Sequence, residues 1–284
     1  MNRKSLLRKM CKNKYFILGG SGVLLILFLC AFSPWFVRFD ATAADLSARL
    51  TPPQWLGAGI SGHIFGTDPL GRDVLTRVLM GGRVSLFISF SVVILSSVSG
   101  IVLGLLAGYY GGAVDTVIMR CCDIMMATPS LLLAVCVVAV MGSSYTNLIL
   151  VLTLTNWLTM SRVVRGVVLT IRNADYVNAA RLLGASDVRI MAKEVFPNVL
   201  TQVIINATQN LGTVILIEAS MSYLGMGVPL PTPAWGTMLS DGREYIGTAP
   251  WIVVVPGIAL MLTVLSFNFL GDGIRDIFDP KNKD

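Results

Sequence analysis

Charged residues are absent from five long stretches of the chain: Tyr15 to Val37, Val84 to Val114, Ile124 to Ser161, Val195 to Ile217, and Tyr245 to Gly271. A helix that crosses a bilayer needs about 20 predominantly apolar residues. The first, fourth and fifth stretches each fit one such helix, and the second is generous for one. The third is too long for one and is broken by the polar run Met141-Gly-Ser-Ser-Tyr-Thr-Asn147, so it predicts two spans joined by a short turn. The expectation is an all-α integral membrane protein with about six transmembrane helices. The core at 15–37 is longer than the roughly 7–15 apolar residues of a secretory signal. Bulky Leu29 also precedes Cys30, so the first stretch is expected to stay as a span.

Composition strengthens this picture. Of 284 residues, 54% are hydrophobic and 13% charged, against roughly a quarter charged in a soluble domain. The net charge of +6 is unevenly placed. Arg3, Lys4, Arg8, Lys9, Lys12 and Lys14 precede the first span, and Arg162, Arg165, Arg172, Arg181, Arg189 and Lys193 lie between the fourth and fifth. Basic residues gather in the cytoplasmic segments of membrane proteins. The pattern predicts cytoplasmic segments at 1–14 and 272–284, a first span at 15–37 and an extracytoplasmic segment at 38–83. A core of five further spans then covers 84–271, with a cytoplasmic loop at 172–197. No soluble stretch is long enough to fold a basic face, which excludes a nucleic-acid partner.

Several features stand out within this frame. Asp73 to Arg83 reads as the start of a helix leading into the second span. Ser96, Gly100, Gly104, Gly108 and Gly112 recur every four residues, a small-residue face that lets another helix approach closely; the partner lies either within this chain or in another subunit. Pro129 and Pro256 each free a backbone carbonyl and permit a kink in the third and sixth spans. Glu218 is the one acid deep in a span. With Met221 it is a candidate for the solute path or a gate, the other reading being a buried pairing that holds helices together. Prolines 229, 231 and 233 forbid a regular helix there; the stretch predicts a rigid external loop or a re-entrant segment. Trp235 and Trp251 fit interfacial anchors. Cys11, Cys30, Cys121, Cys122 and Cys136 lack the spacing of a metal site and read as small buried hydrophobes. His63 lies in a loop without evident co-ligands, so no metal is expected.

The segment Asp175 to Asn198 predicts a short helix, a turn and a second helix. Tyr176, Ala179, Ala180 and Leu183 fall on one helical face. Gly184 suits a left-handed helix end. Ser186 or Asp187 can cap the next helix, which carries Val188, Met191 and Val195 on one side, and Pro197 marks the beginning of the following span. Such a hairpin either seats in a partner's groove or lies on the membrane surface.

The same stretch resembles the cytoplasmic loop of ABC importer permeases through Ala179, Ala180, Gly184, Ile190 and Pro197. Other motifs resemble the dipeptide, oligopeptide and nickel permease family, above all its second, C-type subunits. They are Gly66-Thr-Asp68 with Leu70-Gly-Arg-Asp-Val-Leu-Thr-Arg77, Ala107 to Asp115, Pro231 to Gly236, and Asn268 to Asp276 with Asp279-Pro280. Asn178 and Glu194 depart from the family loop. The resemblance implies a type I importer-like permease in the bacterial inner membrane, forming half of a path for small peptides or, alternatively, for nickel or a metal chelate. It implies a paralogous permease, two ATPase subunits and an extracytoplasmic binding protein as partners. The docking loop would comprise Tyr176, Asn178, Ala179, Ala180, Leu183, Gly184, Ala185 and Ser186. No Gly-x-x-x-x-Gly-Lys-Ser/Thr loop is present, so ATP and Mg are expected on the partner ATPases, with no catalytic residue and no cofactor in this chain. A self-contained ion-coupled transporter is the more distant alternative; it would call for intramembrane relays and internal repeats.

Overall fold

The computed structural model describes residues 9–56 and 62–278. Parts of the basic N-terminus, the segment 38–83, the tail and the Asp279-Pro280 motif therefore lie outside the described residues. The first span, α1 (Lys14–Ala31), is capped by Asn13, whose side chain accepts from the Phe16 amide. It stops at Phe32, short of the expected Val37. Pro34 lacks an amide hydrogen and disfavours helical geometry at the preceding residue, so the chain restarts as one turn, Ser33–Phe36.

Helix α2 (Val74–Tyr110) begins where Asp73 accepts from the Thr76 amide. At 1.5 Å per residue it is about 55 Å long, well beyond the ~30 Å hydrocarbon core. It packs along α5 (Tyr145–Ile171) through the predicted glycine face. A β-carbon on Gly100 would meet Met160 at 2.6 Å, one on Gly104 would meet Ser161 O at 2.6 Å, and one on Gly108 would meet Val168 at 2.7 Å. The partner is thus within this chain. Gly112 drops out of the series: it starts α3 (Gly112–Met126) with φ +53, and its β-carbon would meet nothing within 4 Å.

The partners of Gly100, Gly104 and Gly108 advance in the same direction as the glycines, so α2 and α5 run parallel. The chain between them must therefore cross the layer once. That crossing is made by α3 and α4 (Ser130–Met141), which are bent 84° to one another. Pro129 does not kink a continuous helix, as the sequence suggested; it stands at the N-cap of α4 and separates the two pieces. With the bent pair taken as one crossing, the described residues make six.

After α5 come α6 (Asp175–Leu182) and α7 (Asp187–Tyr223). The expected second loop helix is not a separate element. It continues into the fifth span through a π-helical turn, Met191–Val195, where the Phe196 amide reaches back to Met191 O. Pro197 cannot donate, and its ring crowds the carbonyl four residues earlier; the widened turn relieves that crowding inside an unbroken helix. The chain closes with α8 (Trp235–Gly242) and α9 (Trp251–Phe278), the latter running through Pro256. Helix α9 lies antiparallel to α1, with Gly19 on Leu270 and Gly273 on Phe16.

The main core joins Leu86, Val92, Leu152, Ile215, Met221 and Trp235. Trp235 is no interfacial anchor: it is buried and its Nε1 donates to Val78 O at 2.9 Å. Trp251 Nε1 donates to Thr67 O. His63 has a partner that the sequence did not suggest, Asp73 at 3.0 Å, and stacks on Phe39. Of the cysteines, Cys30 and Cys122 are buried as expected, whereas Cys11, Cys121 and Cys136 are exposed in this chain. Among the described residues, no three His, Cys, Asp or Glu side chains gather where they could hold a metal.

Candidate coupling surface

Helix α6 and its turn stand at the C-terminal ends of α2 and α5. The helix closes with two reverse hydrogen bonds, Ala185 N to Ala180 O at 3.1 Å and Gly184 N to Arg181 O at 3.0 Å. This pairing requires a left-handed residue at the turn, and Gly184 supplies it with φ +78. A β-carbon there would meet nothing within 4 Å, so backbone conformation alone selects glycine. Ser186 takes the N-cap position of α7 but makes no capping hydrogen bond. Asp187 is engaged elsewhere: its carboxylate accepts from the Tyr109 hydroxyl at 2.8 Å.

Tyr109 is the anchor that sequence reasoning missed. From the last turn of α2 its hydroxyl also accepts from Arg181 Nη2 at 3.4 Å, while the Arg181 guanidinium lies 5.8 Å over its ring. The hydrogen bond to Tyr109 raises the Arg181 pKa above its ordinary value. Beneath this link, Val177, Ile190, Val195 and Val199 are buried with Tyr109, Val164 and Val168. The Tyr-Tyr pair after Ala107-Gly108 was visible in the sequence, but its partner lies 78 residues away, beyond any local periodicity.

The predicted face divides in the structure. Ala180 turns inward and packs on the buried cluster, as does Ala185. Tyr176, Ala179 and Leu183 face out, joined by Leu182, which the heptad-like pattern left aside. Leu182 is 90% and Leu183 88% exposed. Val188 is likewise exposed rather than aligned with buried Val195; Ile190 takes the inward position. Asn178 donates to Asn173 O at 3.0 Å and so braces the start of α6. Glu194 lines a hollow of about 260 Å³ with Leu183, Gly184 and Arg189.

Two ion pairs tie α3 to α5 near the same level. Arg165 holds Asp115 through both carboxylate oxygens, and Arg162 Nη2 meets Asp123 at 2.6 Å. Glu218 and Met221 sit elsewhere, both fully buried in α7. Glu218 Oε1 accepts from Ser222 at 2.8 Å, while Oε2 has no hydrogen-bond partner. At the N-terminal end of α2, Arg72 Nε meets Asp68 at 2.6 Å and Arg77 Nε meets it at 3.4 Å, with Asp241 of α8 3.7–3.8 Å from both guanidiniums. Burial raises the Asp241 pKa, opposed by Arg77 and Arg72.

Up to six crossings among the described residues, with α6 and a glycine turn leading into the long helix α7 at one end, give the fold of a type I ABC importer permease, as the solved relatives show. Solved chains of the inward-facing MetNI methionine ABC transporter superpose with a TM-score of 0.57 at 21% identity, over 71% of this chain and 96% of theirs. The chain belongs to the family of binding-protein-dependent transport system inner membrane components, which matches residues 100–284, and residues 3–53 match the N-terminal transmembrane domain of oligopeptide transport permease C. It is 44% identical to the di/tripeptide transport system permease protein DppC of Pseudomonas aeruginosa, over 94% of this chain and 88% of that protein. It is 45% identical to the dipeptide permease DppC of Escherichia coli, over 96% and 91%. The oligopeptide permease OppC of Bacillus subtilis is 38% identical over 95% and 86%.

Proposed function

We propose that this chain is one of two paired permease subunits in an ATP-driven importer of small peptides. Its loop 172–197 receives a separate cytoplasmic ATPase, where ATP and Mg bind, and an extracytoplasmic binding protein delivers the solute from the opposite side. The termini and the loop then face the cytoplasm, in keeping with the clustering of basic residues. The relatives' names support peptides as the solute.

The observation that carries the reading is the pair Leu182 and Leu183. Two large apolar side chains stand almost fully exposed on a helix that is otherwise fastened to the bundle by Tyr109, Val177 and the Gly184 turn. The region beside Arg181 and Asp175 is polar, which argues for a protein groove rather than the hydrocarbon layer as the leucines' destination. When ATP draws the ATPases together, a helix fixed this way passes the displacement to α2 through Tyr109 and to α7 through the continuous backbone after Asp187.

The test is Leu182→Glu combined with Leu183→Glu in the reconstituted transporter. Exposed positions change folding by no more than about 0.5 kcal/mol, so insertion and thermal stability should match the parent. Co-purification of the ATPases and ATP-driven dipeptide uptake should both fall at least tenfold. Normal assembly and uptake would sink the docking assignment. Parallel uptake of labelled dipeptide and of nickel separates the two solutes.

A further inference from the structure

Helix α7 carries a second pattern that neither the core nor the coupling loop uses. Gln202, Asn206, Gln209, Thr213 and Ser220 fall within about 40° of one line at 3.6 residues per turn, in or just beyond the uncharged stretch 195–217. Leu211, Ile215 and Glu218, on the opposite face, are buried against the rest of the chain. Gln202, Thr213 and Ser220 are exposed, and Asn206 and Gln209 are half-buried. Gln209 is tied to Asp272 of α9 at 3.0 Å. Asn206 Oδ1 has no hydrogen-bond partner.

Unpaired amides are too costly to face lipid, because the hydrocarbon offers no hydrogen bonds. Close packing against a dry apolar surface would carry the same cost. At the foot of the line Gln202, Asn206 and Gln209 line a half-open hollow of about 340 Å³ together with Val163, Ile205, Arg275 and Phe278. That volume has room for on the order of ten waters at about 30 Å³ each, and the amides and the Arg275 guanidinium that line it are groups that favour water over lipid. The line therefore continues a hydrated space rather than a dry interface.

We propose that the amide and hydroxyl line of α7, Gln202, Asn206, Thr213 and Ser220, is this chain's wall of the solute path, and that it hydrogen-bonds the main chain of a peptide in transit. The second part rests on the peptide reading above. Amides both donate and accept, matching the alternating N–H and C=O of any peptide. Being uncharged, they do not select among its side chains. This also assigns the path to the face of α7 opposite Glu218, the acid that the sequence pointed to.

The experiment uses the assembled transporter in proteoliposomes, with exposed Cys11, Cys121 and Cys136 replaced by Ala. Gln202→Cys, Asn206→Cys, Thr213→Cys and Ser220→Cys are compared with Ile204→Cys on another face of α7. A membrane-impermeant methanethiosulfonate reagent should modify the four at least tenfold faster than position 204. Dialanine with binding protein and ATP should protect them. Modification no faster than at position 204 overturns the wall assignment. Separately, Gln202→Leu with Asn206→Leu should lower dialanine uptake at least tenfold with the ATPases still bound; unchanged uptake overturns main-chain recognition. If the parent transporter carries no dialanine yet the four cysteines react rapidly, the peptide reading and the recognition that rests on it fail while the wall assignment stands.

Discussion

At its N-terminal end α2 is surrounded by its own chain: Val74, Arg77 and Val78 are buried, Trp235 donates to Val78 O, and two arginines share Asp68 and Asp241. At its C-terminal end the same helix holds, through Tyr109, a loop whose leucines point away from the molecule. The first end completes its hydrogen bonds and packing internally. The second is rigid at its base and unfinished at its surface. Buried charge is tolerable only with its partners in place, so the first end resists change. An exposed apolar surface costs the isolated subunit little to alter but matters to whatever covers it.

Substitutions should separate the ends by size of effect and by what is lost. Asp68→Ala leaves Arg72 and Arg77 buried with only the half-exposed Asp241 carboxylate, 3.7–3.8 Å away, and removes acceptors from the Leu70 and Arg72 amides. The expected cost is about 3–5 kcal/mol, read as lost folded yield and a lower unfolding midpoint in detergent. Asp68→Asn, which keeps the shape, should recover part of it. A stable Asp68→Ala protein would show that this end is not the fixed one.

At the other end, Gly184→Ala and Gly184→Arg should each cost about 1–2 kcal/mol, since both force a β-carbon into left-handed backbone with open space around it. Only Gly184→Arg should in addition release the ATPases, by placing bulk at the docking turn. Equal ATPase retention by the two variants would weaken the contrast between the ends. The smallest effect is expected from Tyr109→Phe, which removes two hydrogen bonds and keeps the ring. We expect about 0.5–1.5 kcal/mol in stability, nearly all from the 2.8 Å bond to Asp187 because the 3.4 Å contact with Arg181 is weak, and retained ATPases, with a several-fold drop in uptake per ATP hydrolysed. An unchanged uptake-to-hydrolysis ratio would show that Tyr109 only supports the loop.

Much of the architecture was legible because the bilayer imposes long-range order on local composition. The uncharged stretches located the spans, the run at Met141 located the turn before α5, and the spacing of Gly100, Gly104 and Gly108 located a packing face. Gly184 was legible for the same local reason, a single residue setting a single backbone angle. The misreadings share another origin. Pro129 looked like a kink because a proline's local effect is the same in a bent helix and between two helices. Trp235 looked interfacial because its side chain's amphipathic nature does not say where its indole N–H finds an acceptor. Leu182 was set aside because periodicity identifies faces but not which face the rest of the chain covers.

Hydrophobic length, charge placement and glycine spacing are properties of neighbouring residues, and by themselves they determined an all-helical membrane protein with a short helix and a glycine turn between its fourth and fifth spans. Which side chains meet was decided only by tertiary structure: Tyr109 with Asp187, Asp68 with two arginines, α2 along α5. Those contacts join residues far apart in the chain, and each depends on the angle and depth at which whole helices pack. Tertiary packing likewise left Leu182, Leu183, Gln202 and Thr213 uncovered, because exposure is what remains after every other surface has found its place.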